Sequence, residues 1–123
     1  MDPSLPSSEF LFETAIENRM VLVCHTGSGV PFALPSVFMP AACKYPQLQI
    51  VLAHCGGGGV LLTDAIVAAL FCSNVHLELS TLMPNHVLRV LAQVPPSHLI
   101  LINKNIIKKG LRLEALLLDC SNL

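Results

Sequence analysis

Val21-Leu22-Val23-Cys24-His25-Thr26-Gly27 and Ile50-Val51-Leu52-Ala53-His54-Cys55-Gly56 are two versions of one phrase, an apolar run that ends on a histidine and breaks into glycine. His25 and His54 are 29 residues apart. That spacing suits one strand, one crossover helix and two loops, so the repeat predicts successive units of a parallel α/β sheet. The histidines then stand at the carboxyl ends of neighbouring strands, where parallel α/β folds build their sites.

Outward from this repeat, apolar spacing predicts a helix over Phe10–Asn18 and strands at Val21–Cys24, Gln49–Ala53, Asn74–Leu79 and His98–Ile102. Between them, helices are expected from Ser36 to about Lys44, from about Val60 to Phe71 and from Pro84 to about Val94, with a final helix near Leu111–Leu118. Strand ends fall near His25, His54, Ser80 and Asn103. Such regular alternation implies right-handed crossovers and a parallel sheet of about four strands, either a small open sheet or half of a barrel.

The chain has 123 residues, enough for one domain but about half of the roughly 250 in a complete eight-stranded α/β barrel. We read it as one partial domain, with residues 1–9 as a lead-in and 103–123 as a divergent tail. Apolar residues make up 53% and charged residues 12%, against about 25% charged in ordinary globular chains. So apolar a chain is expected to associate, as a homo-oligomer or with a complementing half-barrel. The net charge of −1, with basic residues scattered apart from Lys104, Lys108 and Lys109, gives no nucleic-acid footprint. No apolar run approaches the eighteen or so residues of a membrane span. Five cysteines without a C-x-x-C pair, and an amino terminus without a signal peptide, read as thiols of a cytoplasmic protein.

Two imidazoles at neighbouring strand mouths can reach a common metal ion or substrate. Equally, each can bond a loop carbonyl and merely tidy a strand end. Side chains alternate along a strand, so if His25 and His54 face the barrel axis, Cys24 and Ala53 face the helices, and neither Cys24 nor Cys55 suits a nucleophile paired with these histidines. Glu78, inside the third strand, reads as structural, and His76, His86 and His98 as surface or packing residues. Gly56–Gly59 fits neither a dinucleotide fingerprint nor a phosphate loop, and is better explained as letting a helix start hard against the strand end.

The run Tyr45-Pro46-Gln47-Leu48-Gln49-Ile50-Val51-Leu52-Ala53-His54-Cys55-Gly56-Gly57, with the His25 segment before it and Asn74-Val75-His76-Leu77-Glu78-Leu79-Ser80 after it, resembles the amidohydrolase superfamily in its aminocarboxymuconate-semialdehyde-decarboxylase-like branch. The resemblance covers roughly residues 10–102. It implies a metal-dependent hydrolase or decarboxylase acting on a small-molecule substrate through a divalent metal, zinc foremost, with this chain supplying strands five to eight of the barrel. His25 matches the fifth-strand metal ligand, and His54 the sixth-strand histidine that binds metal or helps catalysis. The first-strand H-x-H pair has no counterpart, and Asn103-Lys104 stands where the eighth strand should carry Asp. A truncated gene or a frameshift near Ile102 would leave both gaps. The resemblance thus implies a degenerate hydrolase or decarboxylase, weakly active or inactive alone, and the competing expectation is a non-catalytic binding or assembly module.

Overall fold

The computed structural model describes residues 2–30, 33–101 and 115–118. Helix α1 (Pro6–Glu17) leads into β1 (Val21–His25), and a 3₁₀ turn at Pro35–Phe38 runs on into α2 (Met39–Lys44) and then β2 (Gln49–Ala53). After a tight turn at His54–Gly57 come α3 (Gly59–Phe71), β3 (Val75–Glu78), α4 (Pro84–Leu91), a 3₁₀ turn at Pro96–His98, β4 (Leu99–Ile100) and β5 (Ala115–Leu118). All pairings are parallel, in the spatial order β4-β3-β2-β1-β5.

The expected alternation of strands and helices is present, with differences that have local causes. Residues 6–9 of the expected lead-in are helical, because Pro6 supplies the fixed φ of a first turn and the buried Ser8 hydroxyl donates to Asp2 O at 2.6 Å. Ser36 does not cap a helix through its side chain. Instead its amide donates to Asp64 Oδ2 at 2.8 Å, so the single charge of α3 ties down the 3₁₀ turn. β4 is two residues long, shorter than the His98–Ile102 expected, and Asn103 and Lys104 lie outside the described residues.

The final helix is a correction. Ala115–Leu118 is a strand pairing with β1 from Val21↔Ala115 to Cys24↔Leu118, while residues 111–114 lie outside the described residues. A leucine-rich segment favours helix in isolation, yet β1 offers an edge of backbone donors and acceptors that a strand satisfies and a helix does not. Among the described residues the sheet therefore has five strands rather than four.

The strands alternate faces as their pleat requires. Leu22, Cys24, Ile50, Leu52, Val75 and Leu77 pack with Phe12, Ala42, Leu62, Ile66 and Val90 of the four helices into one core. Val23, Val51 and Ala53 form a second, narrower apolar strip on the opposite face, with Val21 and Ile100 against it. Strands β1 to β4 thus advance in one direction with their helices on one face. β5 lies on the far side of β1, so the order reverses there as in a doubly wound sheet, while the core helices α1 to α4 pack on one face. Among the described residues no helix is long and apolar enough to cross a membrane.

One buried polar side chain fastens the helix layer to the sheet. Asn74, 4% exposed just before β3, shares the two hydrogens of Nδ2 among Ala42 O (3.1 Å), Tyr45 O (3.1 Å) and Leu48 O (2.7 Å). It closes the end of α2 and the turn into β2 together. Replacing Asn74 by Ala leaves these carbonyls without that partner and is expected to cost about 2–3 kcal/mol in urea unfolding. A cost below about 0.5 kcal/mol, the range of ordinary surface substitutions, would contradict this role.

Candidate functional site

His25 and His54 do meet, but not by the route that strand alternation suggests. In the β1–β2 register His25 is level with Ala53, not with His54. Ala53 therefore shares the His25 face, in the strip with Val23 and Val51, which corrects the expectation that it faces the helices. By pleat alone His54 would point into the helix layer. It is redirected by its backbone: His54, Cys55, Gly56 and Gly57 have φ of 68°, 46°, 76° and 75°, a left-handed turn that returns the ring to the His25 face. The two imidazoles lie with centroids 5.1 Å apart in an edge-on arrangement.

Three groups hold this turn. The hydroxyl of the fully buried Thr26 donates to Ala53 O at 2.7 Å and accepts from Gly56 N–H at 2.8 Å. Glu78, 2% exposed at the end of β3, accepts from His54 N–H (3.3 Å, Oε2) and from Ser80 N–H (2.7 Å, Oε1). Cys55 turns to the opposite side, and its Sγ donates to Glu78 O at 3.0 Å. Burial, with the Glu78 charge second, pushes the Cys55 thiol up to about 12, so it is no thiolate nucleophile at neutral pH. Cys24 also lies in the helix-side core, as expected.

The His54 ring is half-exposed, with Nδ1 2.9 Å from Thr81 Oγ1 and 3.8 Å from Glu78 Oε2. The candidate site at the carboxyl edge is thus His25, His54, Glu78 and Thr81. Glu78 is both the structural residue expected and a carboxylate beside the histidines, a position that the β1-to-β3 register reveals and local sequence does not. Thr81 lies past the end of β3, and no motif marks it.

The glycines behave as packing residues. A Cβ on Gly56 would lie 2.6 Å from Leu61 Cβ, in the first turn of α3, and one on Gly58 would lie 2.7 Å from the His86 ring. This is the close start of helix against strand that the sequence suggested, with His86 as a packing residue.

As a metal centre the site is incomplete. A catalytic zinc takes three protein ligands and keeps one open position. Among the described residues no group of three or more His, Cys, Asp or Glu side chains is arranged to hold a metal ion. His25 and His54 are two imidazoles, and both Glu78 oxygens already accept backbone amides.

A second histidine pair sits toward the amino-terminal end of the same face. His76 Nε2 donates to Gln49 Oε1 at 2.8 Å, His98 Nδ1 donates to Val75 O at 2.8 Å, and the rings are 5.6 Å apart. No family model, curated protein or solved structure matches the chain.

Burial, and secondarily the neighbouring His98, hold His76 below the usual histidine range. The unfolded chain therefore binds this proton more readily than the folded one. Stability is full above the unfolded value of about 6.5 and is lost as pH falls through it towards the lower folded value. Urea unfolding at about pH 7 and about pH 5 is expected to show a smaller acid loss for His76→Gln than for the parent. An equal loss in both would remove His76 from the acid response.

Proposed function

We propose that this chain supplies consecutive βα units of a metal-dependent barrel of the amidohydrolase type. His25 and His54 are the residues directed at the reaction centre, and the described residues alone are inactive or weakly active. The observation that carries this reading is the convergence of the two imidazoles, 5.1 Å apart, at the carboxyl edge of adjacent parallel strands. The advance of β1 to β4 in one direction with helices on one face supports it, since that is how a barrel wall is wound, whereas β5, paired with β1 rather than β4, departs from that order. A divalent metal, zinc foremost, supplies such barrels with a Lewis acid that activates water or polarises a substrate carboxylate.

Within this chain, Glu78 and the left-handed turn orient His54, and Thr81 Oγ1 engages its Nδ1, leaving Nε2 for a ligand or a proton. His25 presents its Nε2 beside Gly27, where a Cβ would approach to 3.6 Å. The missing donors must come from elsewhere, and a small-molecule substrate would be held only once they are present. The apolar side chains exposed on α3 and α4 (Val60, Val67, Leu70, Phe71, Leu88 and Leu91) favour association with another chain as the second reading.

Zinc titration by calorimetry tests both readings, with metal analysis and sedimentation on the same sample. The expected result is less than one equivalent of zinc after purification, and weak added binding that is lost in His25→Ala and His54→Ala. Zinc binding indifferent to both substitutions would contradict the assigned site. A monomer at all concentrations would contradict association through the helix faces.

A further inference from the structure

Away from the histidines, α2 and the end of α3 bring two thiols together. Cys43 Sγ and Cys72 Sγ are 3.8 Å apart, across 29 residues of sequence. Cys43 is exposed in the last turn of α2, whereas Cys72 is 4% exposed and follows the last residue of α3. The segments carrying them are already fixed to each other, because Asn74 Nδ2 holds Ala42 O and Tyr45 O on either side of Cys43 and Lys44. The sulfurs are thus held near bonding range by the fold itself, with little chain left to order on linkage.

We propose that Cys43 and Cys72 are a modification site that low-molecular-weight disulfides convert reversibly into an intrachain disulfide. The reaction begins at Cys43, the sulfur that solvent reaches. Its thiolate attacks one sulfur of the small disulfide, forming a mixed disulfide and expelling one small thiolate, which takes a proton. The Cys72 thiolate then attacks Cys43 Sγ, and the second small thiol leaves with the second proton. Two electrons pass to the small disulfide, which becomes two thiols, and the protein loses two hydrogens. Burial, with the hydrogen bond to Cys43 second, pushes the Cys72 thiol up to about 11, so the closing step is slower than the first.

The loop so closed runs from residue 43 to residue 72 and contains β2, the left-handed turn with His54, and all of α3. Oxidation therefore restrains the unfolded chain over the segment that builds half the candidate site, without moving a residue of that site. In a reducing compartment such a pair is a transient, redox-responsive link rather than a permanent one.

The test treats the full chain with oxidised glutathione under native conditions, blocks remaining thiols with iodoacetamide, and maps the peptides without reduction. Trypsin cleaves after Lys44 and separates the two cysteines. The expected product is a linked peptide pair lighter by two hydrogens, with fragmentation placing the bond at Cys43 and Cys72, reversed by dithiothreitol. Oxidised protein should melt several degrees above reduced protein, and Cys43→Ser, an exposed change that leaves the core intact, should abolish both the link and the shift. A glutathione adduct persisting on Cys43 beside a free Cys72, a bond from Cys43 to Cys120 or to a second chain, or no rise in melting temperature would overturn the proposal.

Discussion

The hydroxyl of Thr26 is where the two halves of the site are joined. It lies one residue past His25, yet its partners, Ala53 O and Gly56 N–H, flank His54. Two non-glycine residues in left-handed conformation cost roughly 1–2 kcal/mol each. The two Thr26 bonds, the Glu78 bond to His54 N–H and the Cys55 bond to Glu78 O together offset a strain of this size, at about 1 kcal/mol for a neutral bond and about 1.5–3 for one to a charge. Without that network the chain would leave β2 in an ordinary loop, and the His54 ring would follow the pleat into the helix layer. The site is thus a backbone achievement before it is a side-chain one.

Glu78 shows how structure and chemistry share a residue here. A buried carboxylate with no donors would be strongly disfavoured, and this one is satisfied by two backbone amides from two different loops. The same bonds place it 3.8 Å from His54 Nδ1. A carboxylate so committed positions an imidazole better than it ligates a cation.

Much of the fold was legible because its cues are local. The Val21 and Ile50 runs, Pro84 at the start of a helix and Tyr45-Pro46 closing another all carry their own boundaries. The last segment was misread because Ala115–Leu118 obeys a distant constraint, the open edge of β1. The histidines were legible as a pair but not in their geometry: equivalence in sequence hid a one-residue offset in register, and the left-handed turn cancels that offset. The glycines after His54 were the available signal, since a glycine run permits a left-handed path. Thr81 gave none, because it reaches His54 only through the pairing of β2 with β3.

The central claim is that the left-handed turn held by Thr26 brings the two imidazoles into contact. Nuclear Overhauser spectroscopy on protein labelled at histidine tests it directly. The account predicts ring-to-ring cross peaks between His25 and His54 in the parent, lost in a folded Thr26→Val variant whose β1–β2 pairing persists. Absence of those cross peaks in the parent, with His54 contacting Leu52 or Leu62 of the helix-side core instead, would contradict it.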